Sequence, residues 1–175
     1  MPKRPSSAWR FLLLFLAGLV IAGYAYSYLS ATFHDRLEWL PKLTASLSGS
    51  LGSLFVEGVT WSGDVVRYKG FTVTIIDECT GVFEMLIYLV AVLAVKTDWR
   101  RKALGAVIGL PLIYIFNVIR IWVLLAAGAR SFELFDFLHL YLWQATLILM
   151  IGSVWISWLY LVVFREEKRA LAVSG

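Results

Sequence analysis

Three residues that hydrocarbon disfavours, Cys79, Arg120 and His139, stand at the edges of three separate apolar blocks of this chain. A thiol, a fixed cation and an imidazole are the parts of a Cys-His hydrolase or transferase site, supplying nucleophile, charge stabiliser and acid-base group. His139 has the ordinary range for that task, since an imidazole near pKa ~6.5 can take a thiol proton and return it to a leaving amine. Arg120 at membrane depth costs several kcal/mol, on the order of 3, unless it pairs or faces water, which makes it a functional candidate. Asn117, three residues earlier, and Tyr114, another turn below, extend a polar stripe along the same helical face. Cys79 opens an apolar block, where unpaired N–H groups and the helix dipole favour a thiolate. Asp77 and Glu78 oppose that charge, and Arg120 would offset them. Asp136, three residues before His139, orients the ring if the helix already runs there. The structural alternatives are an Arg120–Glu84 ion pair and an interfacial His139 packed beside Trp143.

The elements that must hold these groups are membrane helices. The chain has 175 residues, is 60% hydrophobic and has a mean hydropathy of +0.77, with its apolar residues in long blocks. The predicted fold is mainly α and polytopic, a single domain over 1–175 with about four transmembrane helices, near 11–29, 80–95, 103–127 and 138–164. The second block is short. Its sixteen residues span roughly 24 Å, so one end should lie inside the interface. Ten of the sixteen Lys and Arg fall on one side of this arrangement: Lys3, Arg4, Arg10, Lys96, Arg100, Arg101, Lys102, Arg165, Lys168 and Arg169. The positive-inside rule then puts both termini in the cytoplasm of a multi-pass plasma or inner membrane protein, with Cys79, Arg120 and His139 at the extracytoplasmic face. The pI near 9.3 follows from that topology and argues for no nucleic acid partner. The first block, ending in Tyr24, Tyr26 and Tyr28, reads as an anchor with an aromatic belt rather than a cleaved signal peptide.

The outer loop, 30–79, divides in two. Residues 41–54, rich in Ser, Gly and Leu, fit either an interfacial helix or an irregular lid. Residues 55–76 show short β-prone runs broken at Ser62-Gly63-Asp64 and Lys69-Gly70, which predicts a β-hairpin or three-stranded sheet running into Cys79. Gly105 and Gly109 form a small-xxx-small face, Pro111 bends the third helix, and Trp99, Trp155 and Trp158 read as interface anchors or lipid-facing bulk. One Cys and two distant His make no metal site, no His-Glu-x-x-His is present, and no cofactor is expected. A single cysteine also excludes an internal disulfide or a dithiol oxidoreductase.

The run Glu78-Cys79-Thr80-Gly81-Val82, then Asn117-Val118-Ile119-Arg120, then His139, resembles the exosortase/archaeosortase family of membrane cysteine transpeptidases. The likeness covers about residues 55–143. It implies that Cys79 is the nucleophile and that Arg120 and His139 complete the site, with Asn117 supporting. Thr80 and Gly81 would lend N–H groups to an oxyanion. It also implies substrates that are secreted proteins ending in a short motif, a transmembrane helix and a basic tail. Cleavage near the motif would be followed by transfer of the new carboxyl end to an acceptor, a membrane lipid among the options. The competing reading is a non-enzymatic membrane scaffold or assembly subunit in which Arg120 and Glu84 form a structural pair.

Overall fold

A computed structural model describes residues 7–164. Lys3, Arg4, Arg165, Lys168 and Arg169 lie outside the described residues, as do the side chains of His34 and Trp143. The chain opens with α1 (Ser7–Thr32), passes a single turn α2 (His34–Leu37) and continues into α3 (Trp39–Ser53). Pro41 sits in the first turn of α3, where its missing N–H costs nothing. Three strands follow: β1 (Val59–Ser62), β2 (Val65–Tyr68) and β3 (Phe71–Thr74). They form an antiparallel sheet in the order β1-β2-β3, with Ser62 opposite Val65 and Tyr68 opposite Phe71. Both connections are two-residue hairpins. Gly63 supplies the positive φ of the first, while Lys69 and Gly70 are both positive in the second.

A 3-10 turn (Asp77–Cys79) joins the sheet to α4 (Val82–Ala94), followed by α5 (Trp99–Gly128) and α6 (Phe132–Phe137). The last block is a π-helical turn (Leu138–Leu142), α7 (Trp143–Trp158) and a second π-helical segment (Leu159–Phe164). Among the described residues three helices are long and apolar enough to cross a membrane, at Ala8–Thr32, Trp99–Gly128 and Ala145–Val163. The expected fourth, α4, is shorter at thirteen residues, because the helix starts at Val82 rather than at residue 80.

Helices α4 and α5 run antiparallel, and their contacts set the vertical scale. The Cys79 carbonyl faces Asn117, Tyr88 Oη donates to the Gly105 carbonyl at 3.0 Å, and Lys102 Nζ reaches the Leu93 carbonyl at 2.6 Å. Asn117 therefore lies about 27 Å above Trp99, near the full height of a hydrocarbon core of roughly 30 Å. The remainder of α5 rises beside α3 and the sheet, where Ile121, Leu124, Leu125 and Ala127 are buried. Arg120 lies almost one turn further along than Asn117, about 32 Å from Trp99 by helical rise.

Two cores result. One, beneath the sheet, joins Ala45, Val59, Val66, Ile75, Ile121 and Leu125; the other, lower in the bundle, joins Tyr88, Val92, Ile113, Trp158 and Val163. Gly105 and Gly109 receive rings rather than a neighbouring backbone: a β-carbon at Gly105 would meet the Trp158 indole, and one at Gly109 the Tyr88 ring. Trp158 is accordingly buried, with its Nε1 donating to the Arg101 carbonyl at 3.1 Å, and is no lipid-facing anchor.

Candidate active site

Cys79 does not begin a helix. It closes the 3-10 turn, with its N–H donating to the Ile76 carbonyl at 2.8 Å, and Thr80 and Gly81 separate it from the first residue of α4. The expected help from an α-helical N-terminus is therefore indirect. The Thr80 N–H is also engaged, donating to the Asp77 carbonyl at 3.2 Å, as does Thr80 Oγ1 at 2.7 Å. These bonds build the turn, so the Thr80 amide is not the ready oxyanion donor expected of it. Gly81 reverses the chain at φ +79, and a β-carbon there would lie 3.0 Å from the Asn117 side chain. Only glycine combines that backbone with that approach.

From this turn a polar chain crosses to α5. Asn117 Nδ2 donates to the Cys79 carbonyl at 2.8 Å, and Asn117 Oδ1 accepts from Arg120 Nη1 at 3.1 Å. The same Nη1 lies 3.7 Å from Glu84 Oε1, with both side chains at or below 10% exposure. Glu84 is in the first turn of α4, where the helix dipole favours its carboxylate. The structure thus assembles Cys79, Thr80, Gly81, Glu84, Asn117 and Arg120 in one cluster. Burial pushes the Cys79 thiol above its ordinary pKa; the Ile76 backbone and the Arg120 guanidinium pull it back, and Glu78 and Glu84 add to the rise.

His139 is placed by another route. It sits in the π-helical turn, its ring stacked on Phe135 at 5.4 Å and 7°, and Phe135 in turn packs on Phe71 of β3 at 5.1 Å. Cys79 and Arg120 share Asn117 and Glu84, whereas His139 is positioned from the sheet side through aromatic rings. The helix does run through Asp136 into His139, and Asp136 is exposed.

Two lateral grooves flank the polar chain. One of about 1030 Å³ lies between α1, α4 and α7, with Tyr26, Glu78 and Glu84 among its lining residues. The other, about 410 Å³, lies between α5 and α7 and includes Asn117 and Arg120.

Sequence reasoning left residues 41–54 undecided, and there the structure adds a component. Helix α3 lies along α5, with Thr44 Oγ1 and Tyr114 Oη 3.0 Å apart and Trp122 Nε1 donating to the Ser48 carbonyl at 2.6 Å. Its buried residues include Thr44, Ala45, Ser48, Gly49 and Gly52, a stripe of small side chains at helical spacing whose signal the low helix propensity of Ser and Gly outweighs in the sequence. Tyr26 of α1 was read only as part of an aromatic belt, yet its hydroxyl donates to the Asp77 carbonyl at 3.1 Å and braces the turn that carries Cys79.

Among curated proteins and among solved structures, no significant match to the chain was found. The family model described as Transmembrane exosortase (Exosortase_EpsH) matches residues 5–155, a span containing the whole cluster and His139. The chain belongs to the transmembrane exosortase family.

Proposed function

We propose that this protein is a membrane cysteine protease and transpeptidase that cleaves the C-terminal sorting signal of secreted proteins at the extracytoplasmic face. The observation that carries this reading is the continuous polar chain from the Cys79 carbonyl through Asn117 to Arg120 and Glu84, which ties the backbone of the single cysteine to a buried guanidinium. Family membership supports a membrane sorting role in general terms.

In this scheme His139 takes the Cys79 proton as sulfur attacks a backbone carbonyl, and Arg120 stabilises the oxyanion. Collapse breaks the C–N bond, the amine leaves with the proton from His139, and a thioester remains on Cys79. An amine or hydroxyl acceptor such as a membrane lipid then resolves the thioester with ligation, and water resolves it with hydrolysis. The substrate would carry a short motif, a transmembrane helix and a basic tail, an orientation in keeping with the cytoplasmic termini that the positive-inside rule predicts for this chain.

A scaffold role is favoured by one observation alone, the buried Arg120–Glu84 pair. Incubating purified protein with substrate and no acceptor separates the two readings. An enzyme accumulates a hydroxylamine-sensitive adduct on Cys79, absent from Cys79→Ala and indifferent to chelators. Cleaved product from Cys79→Ala would overturn the reading.

A further inference from the structure

The sheet has two edges, and they are treated differently. Helix α3 packs along β1. On the other side, β3 leads through Ile75 and Ile76 into the turn that ends at Cys79. The register fixes which backbone groups of β3 are spoken for. Phe71 pairs with Tyr68 across the hairpin, Val73 with Val66, and the Ile75 N–H donates to the Asp64 carbonyl at 2.8 Å. In an antiparallel ladder the alternate residues point the other way. Thr72 and Thr74 therefore direct their N–H and C=O groups outward, and among the described residues these groups have no hydrogen-bond partner. Ile76 continues the extended course at φ −100 and ψ 172, and it is 53% exposed.

An unpaired edge is a template for another strand. This one has direction and a destination. It runs from the hairpin at Lys69-Gly70, beside the last turn of α5 where Phe71 packs against Gly128, down to Cys79 at the level of Asn117. His139 is linked to this strand through the rings of Phe135 and Phe71.

We propose that the free edge of β3 is the substrate-docking strand, on which an extended peptide segment pairs in parallel before its carbonyl reaches Cys79. The inference rests on the cysteine-peptidase reading above. Parallel pairing follows from the chain direction: a secreted domain followed by a transmembrane helix approaches the membrane N to C, as β3 does. Thr74 then donates to one guest carbonyl and accepts from the N–H two residues further on, and Thr72 repeats this one step earlier. Affinity comes from backbone, so substrates of varied sequence are accepted before the motif.

The test uses full-length protein in detergent and a pool of capped tetrapeptidyl vinyl sulfones, which alkylate a thiol by addition, with Cys79 alkylation followed by intact-mass spectrometry. Iodoacetamide, which makes no strand contacts, is the control for thiol access. Thr74→Pro removes an outward donor while leaving the β2 ladder intact, so it should slow the peptidyl probes about tenfold and leave iodoacetamide unchanged. Thr74→Ala should match the parent with both reagents. Probes N-methylated at alternate residues should lose about tenfold and the intervening ones little, a comparison that needs no change to the protein. Equal labelling of parent and Thr74→Pro, or an N-methyl penalty without alternation, would overturn the β3 assignment and leave the peptidase reading standing. Labelling by iodoacetamide with no preference for any peptidyl probe in the parent would overturn both.

Discussion

At the scale of single residues, burial and a neighbouring charge act on the Cys79 thiol in opposite directions. Burial keeps Cys79 protonated further into the alkaline range than a free thiol, so its alkylation by iodoacetamide should still be climbing where an exposed cysteine has levelled off. The Arg120 charge lowers that pKa, and Arg120→Gln should therefore displace the alkylation curve to higher pH. A curve that stays in place would show that the guanidinium does not act on the sulfur. Arg120→Lys keeps the charge but loses the planar guanidinium whose Nη1 meets both Asn117 and Glu84, and turnover should drop at least about tenfold. Asn117→Leu leaves both the Cys79 carbonyl and the Arg120 donor without their shared partner. Thermal unfolding in detergent should register a loss of about 1–3 kcal/mol, alongside loss of activity.

At the scale of elements, the 3-10 turn and the start of α4 depend on Gly81. An alanine would need φ +79 and would press on the Asn117 amide, so Gly81→Ala should lower the melting temperature by a margin equivalent to about 1–3 kcal/mol. A melt indistinguishable from the parent would mean that the turn relaxes without the glycine. The sheet was legible because its turn residues are explicit: Gly63 and Lys69-Gly70 sit where positive φ is required, and period-two runs flank them. Helix α3 was not, because Ser and Gly are weak helix formers and its stability comes from a contact with Trp122 and Tyr114 some seventy residues away. The cluster of Cys79, Asn117 and Arg120 was legible from buried polarity alone, since each is anomalous in an apolar block. The aromatic route that places His139 was not, because Phe71, Phe135 and His139 meet only in the tertiary fold.

At the scale of the whole molecule, orientation decides whether the cluster faces secreted substrates. In a Cys79→Ala background, a cysteine at exposed Ser53 of α3 should react with an impermeant maleimide added to intact cells. Reaction only after the cytoplasm is opened would reverse the topology and remove the substrate class proposed above. The arrangement of contacts also orders the birth of the protein. Helix α1 packs chiefly on α4, which begins fifty residues after α1 ends, and the roof over Cys79 closes only on Ile121 and Leu125 of α5. Helix α1 must therefore wait for its main partner, and the sheet, which already has α3 along β1, completes its core only once α5 is in place. In the orientation proposed above, Cys79 is uncovered on the outer side during that interval, so slower translation between α1 and α5 should raise the fraction of molecules that mature with an oxidised Cys79.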